Sequence, residues 1–201
     1  MITVLGIGPG NDCLLLNTAM THIETADSVI GSRRQLEIVP EHFKGEKLIL
    51  PKKLGDLENY LLEHLSRQIV VLASGDPLLY GIGNWIGTKF SSEHYQIIPG
   101  ISAIHYMFSQ LRLSMNDTYF TSSHGKLPNY ELIFSLPKVG MVTDSKIGPY
   151  QLAKELSERG IHKTIYVGEN LSYPNERIRK FNELSVPDEQ FEMNVVVLVD
   201  E

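Results

Sequence analysis

The stretch Ile69-Val70-Val71-Leu72-Ala73-Ser74-Gly75-Asp76-Pro77-Leu78-Leu79-Tyr80-Gly81-Ile82-Gly83 decides the class of fold. Its first part is an apolar run without polar alternation, as expected of a central strand covered on both faces. Gly75, Asp76 and Pro77 then break the run as a loop. A helical pattern from about Tyr80 to Phe90 follows it. Strand, glycine loop and helix in that order form the repeating unit of an α/β protein, whose ligands bind beyond the carboxyl ends of the strands.

The same alternation extends to both sides. Upstream, Ile2 to Leu5 reads as a strand, a glycine turn follows, and Leu16, Ala19, Met20 and Ile23 mark one face of a helix. Ser28 to Ile30 is a second strand, and Leu54, Leu57, Leu61 and Leu65 form another amphipathic helix. Downstream, Tyr95 to Ile98 is a strand, and a helix starting after Pro99-Gly100 carries Ile101, Ile104, Met107, Phe108 and Leu111. Further strands are expected near Thr118 to Thr121, Gly140 to Thr143, Thr164 to Val167 and Met193 to Val199, with helices near Pro128 to Ser135 and Pro149 to Arg159. Gly160 supplies a helix stop. The pattern divides the chain into two α/β domains, residues 1–112 and 113–201, without an internal repeat.

Composition narrows the function classes. With 42% hydrophobic and 21% charged residues in 201, the chain carries a sizeable core and is neither disordered nor collagenous. The longest apolar runs are strand-length, far short of the roughly 20 residues that span a membrane. The start Met1-Ile-Thr-Val-Leu-Gly6 lacks a basic, cleavable leader, so a cytoplasmic protein is expected. The single Cys13 excludes an intrachain disulfide and a cysteine zinc site, and is expected to be a buried small apolar residue. Lys and Arg number 18 against 24 acids, a net charge of −6, which disfavours nucleic acid. Arg33-Arg34 and Lys52-Lys53 read as solvated surface, although a few converging cations could hold a small anion. The His residues at 22, 42, 64, 94, 105, 124 and 162 show no metal-ligand spacing, and no protein-bound metal is expected.

Three loops after strands could carry chemistry. Gly6-Ile-Gly8-Pro9-Gly10 approximates the dinucleotide fingerprint G-x-G-x-x-G, but its third glycine comes one residue early and Pro9 has no N–H for a phosphate. Gly31-Ser-Arg-Arg34 stands where an acidic residue would hold a ribose, so a nicotinamide cofactor is disfavoured. A plain tight turn, or a ligand other than a pyrophosphate, is left. The second loop offers Asp76 to a cationic or hydroxyl-bearing ligand. In the third, Pro99-Gly-Ile-Ser102-Ala103, Ser102 is either a helix cap or a ligand hydroxyl.

Gly6-Ile-Gly-Pro-Gly10, Gly75-Asp76-Pro77 and Pro99-Gly-Ile-Ser102, in this order and spacing, resemble the ligand loops of the tetrapyrrole (corrin/porphyrin) methylases, and the likeness covers nearly the whole chain. Within that family, Ala73 to Gly83, Ser123-His124-Gly125-Lys126 and Glu169-Asn-Leu-Ser-Tyr-Pro-Asn-Glu-Arg177 look like the branch that methylates carbon 5 of precorrin-7 or its cobalt form. The chain departs from that branch pattern at Lys126, where Arg is usual, at Ala103, where Ser is common, and at Ser114-Met115, where Pro-Trp is frequent.

The resemblance implies two α/β domains with a ligand cleft between them, and S-adenosylmethionine as methyl donor. Carried over by position, Gly8, Pro9, Gly75, Asp76, Leu79, Ser102 and Ala103 would bind the donor, with Ser122, Thr143 and Asn170 contributing from the second domain. Tyr80, Arg112 and Lys126 would meet the carboxylated ring substrate, with the Arg33-Arg34 pair an alternative for its carboxylates, and His124 is the candidate base. The resemblance also implies a homodimer and functional coupling to a separate decarboxylating C15-methyltransferase, with no nucleic acid or membrane partner. The other readings are a different corrin carbon, a protein or ribosomal RNA substrate for the same fold, and a module that binds a nucleotide without turnover.

Overall fold

Ile69–Ala73 is buried at every residue and occupies the middle of a five-stranded sheet, as its unbroken apolar run requires. The computed structural model describes residues 1–200 and divides into two compact units that meet in sequence between Ser102 and Ala103.

The first unit runs β1 (Ile2–Gly6), α1 (Asn17–Glu24), β2 (Ser28–Gly31), α2 (Arg33–Leu36), β3 (Glu46–Ile49), α3 (Leu54–Glu63), β4 (Ile69–Ala73), α4 (Ile82–Lys89) and β5 (Tyr95–Ile98). Its strands lie in the order β3-β2-β4-β1-β5, and every pairing is parallel. One face buries Ile2, Val4, Ile69 and Val71 against Leu57 and Leu61 of α3 and Ile86 of α4. The other buries Leu5, Val29, Val70 and Leu72 against Ala19 and Ile23 of α1. Two separate clusters on opposite faces account for a sheet whose central strand, β4, carries no polar residue.

The second unit runs α5 (Ala103–Leu111), β6 (Tyr119–Ser122), α6 (Tyr130–Ser135), β7 (Lys138–Val142), α7 (Pro149–Glu158), β8 (Thr164–Glu169), β9 (Arg177–Phe181) and β10 (Asn194–Val199). Its sheet has the order β6-β7-β10-β8-β9. Strands β6 and β7 are parallel, while β10 is antiparallel to both β7 and β8, so the all-apolar Val195–Val199 stretch lies at the centre of a mixed sheet. Leu152, Ala153 and Leu156 of α7 pack with Ile133 and Phe134 of α6 on one face.

The sequence pattern counted the helix Ala103–Leu111 with the first domain, whereas it opens the second unit. The reason lies in two strand glycines. A Cβ on Gly140 would stand 2.7 Å from Ile104 and 3.0 Å from Phe108, and one on Gly168 would stand 2.5 Å from the sulfur of Met107. These glycines admit α5 onto the second sheet, and no apolar period reports such a notch.

Three elements escaped the pattern. β3 and β9 are edge strands whose residues, Glu-Lys-Leu-Ile and Arg-Ile-Arg-Lys-Phe, are charged because one side faces solvent. The four-residue α2 is too short for a period and is held by a capping box between Ser32 and Gln35. The expected burial of Cys13 is not observed: the thiol is exposed, in a 3-10 turn at Asp12–Leu14 that Asn11 caps by accepting from the Cys13 N–H at 2.8 Å. No helix among the described residues is long and apolar enough to cross a membrane.

Candidate functional site

In the first unit, strand register brings the three glycine loops to one sheet edge. Gly6 pairs with Ala73 and Leu5 with Ile98, so the loops after β1, β4 and β5 leave side by side. Gly8 and Gly75 form an antiparallel bridge, with the Gly75 N–H donating to Gly8 at 2.7 Å and the Gly8 N–H to Gly75 at 3.3 Å. Both sit at positive φ, +77° and +66°. Gly100 closes the group, because a Cβ there would stand 2.1 Å from the Gly75 carbonyl oxygen. Backbone here packs on backbone, which only glycine permits.

Asp76 fastens two of these loops. One carboxylate oxygen accepts from the Leu78 N–H at 2.8 Å within its own turn, and the other accepts from the Gly100 N–H at 3.2 Å. A carboxylate offers about four acceptor positions, so both bonds leave capacity for a cationic ligand. The loop after β2 joins the same edge: Arg34 and Gln35 each donate to the Ser74 hydroxyl at 3.0 Å. Arg34, read from sequence as solvated surface, therefore has a partner in the loop that follows β4. Pro9 is buried, Leu79 half-buried and Tyr80 exposed, with Tyr80 in the left-handed region at φ 57°.

In the second unit, β6, β7 and β8 all finish at one edge, where β10 begins. Ser122 and Ser123 are buried there, and the exposed turn His124-Gly125-Lys126 follows them. The Ser122 hydroxyl accepts from the His124 N–H at 3.0 Å, and the Ser123 hydroxyl donates to Ile147 at 2.9 Å. Buried Thr143 donates to the side-chain oxygen of buried Asn194 at 2.7 Å. Asp144 accepts from Ile147 and Lys146, each at 2.9 Å, and from Gly125 at 3.2 Å. These N–H groups, that of Ile147 foremost, hold its carboxyl below the ordinary carboxylate range.

Beside this edge lies a groove of about 620 Å³ lined by Thr143, Asp144, Gly148, Glu189, Phe191 and Asn194 among others. Arg179 holds two of its lining residues, donating to Glu189 at 2.7 Å and stacking on Phe191, while it also donates to Glu169 at 2.9 Å and stacks on Phe181. After β8 the chain takes left-handed conformations at Asn170 (φ 47°) and Ser172 (φ 68°). Glu176 holds this loop by accepting from the Ser172 N–H at 2.6 Å. Burial first, and then the hydrogen bond to Glu176, raise the Tyr106 hydroxyl above its ordinary pKa.

The candidate residues thus fall into groups. Gly8, Pro9, Gly75, Asp76 and Leu79 lie in the adjoining loops of the first sheet edge, and buried Ser102 ends the loop that follows β5. Ala103 opens α5. Ser122, His124, Lys126, Thr143 and Asn170 share the carboxyl edge of the second sheet. Arg112 is set apart from Lys126. It follows α5 at φ 56°, and the nearby Ser114 carbonyl accepts from Lys138 at 2.5 Å at the start of β7, the opposite end of that strand.

Asp144 and Asn194 were not singled out from the sequence, and Glu176 only within the stretch Glu169 to Arg177. Asp144 carried a local signal, as the aspartate of Asp144-Ser-Lys-Ile-Gly-Pro149, a turn residue ahead of a proline that starts a helix. Among the described residues no group of His, Cys, Asp and Glu could hold a metal ion.

Comparison with known proteins gives this geometry a context. The profile of the Tetrapyrrole (Corrin/Porphyrin) Methylases matches residues 1–185. The chain is 42% identical over 202 residues to the cobalt-precorrin-7 C(5)-methyltransferase of Salmonella typhimurium, covering 100% of both chains. Its fold is that of the precorrin-6Y methylase of Archaeoglobus fulgidus, with a TM-score of 0.78 at 22% identity over 100% of this chain and 98% of the other. It is likewise similar to the uroporphyrin-III C-methyltransferase of Thermus thermophilus complexed with S-adenosylhomocysteine, with a TM-score of 0.77 at 21% identity over 98% of this chain and 96% of that one.

Proposed function

The chain belongs to the tetrapyrrole methylases, and from that membership we propose that it transfers the methyl group of S-adenosylmethionine to carbon 5 of cobalt-precorrin-7 in cobalamin biosynthesis. The observation that carries the reading is the end-to-end 42% identity to a protein of that activity. The glycine loops and the family together support S-adenosylmethionine as donor.

The donor supplies an electrophilic methyl on a sulfonium. In the transfer a bond forms from the ring carbon to that methyl while the carbon–sulfur bond breaks, and the electron pair leaves with sulfur as S-adenosylhomocysteine. Sulfur departs neutral and needs no acid, so the protein's contribution is alignment. The residues assigned to the donor are Gly8, Pro9, Gly75, Asp76, Leu79, Ser102 and Ala103, with Ser122, Thr143 and Asn170 from the second unit. The fit rests on two features. Gly8, Gly75 and Gly100 leave no side chain where their loops meet, and Asp76 presents a negative charge suited to an ammonium and a sulfonium.

Lys126 and Tyr80 are assigned to the substrate, Lys126 as a point charge for a ring carboxylate. Arg112 is assigned with them, at a different place on the ring's periphery, since it stands apart from Lys126. His124, exposed on the turn after β6, is assigned as the base that accepts the proton the methylated ring releases. Cobalt enters as part of the substrate. We further propose a cytoplasmic homodimer that works with a separate decarboxylating C15-methyltransferase. The family resemblance and the prevalence of two-fold homo-oligomers support this.

The experiment is turnover with methyl-labelled S-adenosylmethionine and cobalt-precorrin-7. Label at carbon 5 is the expected product, and label at another carbon replaces the substrate position while keeping the methyltransferase.

A further inference from the structure

We propose that Asp144 is a positioning residue for the tetrapyrrole substrate, acting through the His124-Gly125-Lys126 turn that its carboxylate ties to the loop after β7. The proposal rests on the assignment of Lys126 to a substrate carboxylate.

Four observations carry it. First, the turn is exposed and a Cβ on Gly125 would meet nothing within 4 Å, so packing does not hold it in place. Second, Gly125 lies at φ +70°, a conformation that must be fixed by bonds if it is to be kept. Third, besides the Ser122 hydroxyl, which accepts from the His124 N–H at 3.0 Å, Asp144 ties the middle of the turn to the loop after β7. One carboxylate oxygen of Asp144 accepts from the Gly125 N–H at 3.2 Å, and the other accepts from Lys146 and Ile147 at 2.9 Å each. Ser123 adds a parallel tie by donating to the Ile147 carbonyl at 2.9 Å. Fourth, Asp144 follows Thr143, whose hydroxyl is locked to buried Asn194 at 2.7 Å, so the carboxylate stands on a fixed base.

A long Lys side chain on an untethered turn would sample many positions and hold a ring carboxylate weakly. The carboxylate of Asp144 removes that freedom before the substrate arrives. Its loss should therefore raise KM for the tetrapyrrole while leaving the donor's affinity intact.

The test is a double-mutant cycle of Asp144→Asn and Lys126→Ala, read as KM and kcat with cobalt-precorrin-7 and as S-adenosylhomocysteine affinity by calorimetry. Asparagine keeps the shape but presents an N–H₂ where Gly125 or the 146–147 amides need an acceptor. The expected result is a KM raised about tenfold by Asp144→Asn, a much smaller rise on the Lys126→Ala background, and unchanged calorimetry. Additive effects, or an unchanged KM in Asp144→Asn, overturn the proposal. A flat KM in Lys126→Ala alone refutes the substrate assignment of Lys126, and the proposal with it, while wild-type turnover at carbon 5 still stands. If Asp144→Asn does not fold, Gly125→Ala takes its place, since its methyl has open space and strains only the left-handed turn. It must raise KM in the same way, and an unchanged KM there refutes the role of the turn.

Discussion

A methyl group on Gly100 would stand 2.1 Å from the carbonyl oxygen of Gly75, closer than any two such atoms approach. The loops after β4 and β5 thus meet through bare backbone, and Asp76 bridges them from the side. Gly100→Ala must force them apart. The expected cost is at the upper end of the roughly 1–3 kcal/mol of an overpacked site, with lost binding of S-adenosylhomocysteine. Chemical denaturation and calorimetry measure the two effects. A variant with wild-type stability and affinity would show that the loops need not touch.

Asp76→Asn separates charge from shape at the same junction. The amide can still accept from Leu78, but its N–H₂ then faces the Gly100 N–H and leaves that donor without a partner. Stability should fall by about 1–3 kcal/mol. Donor affinity should fall as well, because a neutral amide no longer attracts a sulfonium or ammonium. Restored affinity on Asp76→Glu would identify the charge as the operative feature.

The acid limb of stability is set in part by Asp144 and Glu183. Backbone N–H groups, that of Ile147 first, depress Asp144 below its ordinary 3.8, and the hydrogen bond from His162 depresses Glu183 below its ordinary 4.5. A depressed carboxyl stabilises the fold fully above its unfolded value, and that contribution disappears as pH falls through the folded one. Stability should therefore be flat for these groups near neutrality and decline below about pH 4 to 5. Urea midpoints across pH should show the decline shallower in Asp144→Asn. An equal slope in wild type and variant would contradict the assignment.

His124 gives a kinetic prediction. If its ring accepts the proton released after methylation, His124→Ala should lower kcat by about a hundredfold, the low end for a positioned base. Affinity for S-adenosylhomocysteine should not change. A KM effect without a kcat effect would make His124 a binding residue.

How much of this could be read in advance depended on what each feature is made of. The apolar runs Ile69–Ala73 and Val195–Val199 announced the central strands of both sheets, because burial on two faces leaves its mark on every residue. The glycine loops were legible for a similar reason, since Gly8 and Gly75 sit at positive φ and Gly100 at a backbone approach that a Cβ would block. Edge strands β3 and β9 were hidden by charges that keep an edge soluble. The placement of α5 depended on notches at Gly140 and Gly168, far away in sequence. The ties of Asp144 to Gly125 and of Asn194 to Thr143 join residues 19 and 51 positions apart, which no local pattern records.

The reaction itself is measured with the purified chain, methyl-labelled S-adenosylmethionine and cobalt-precorrin-7, the labelled carbon being located by mass spectrometry and NMR. One labelled methyl per ring, on carbon 5, is the expected product. No transfer to the ring, in a preparation shown by calorimetry to bind S-adenosylhomocysteine, would contradict it.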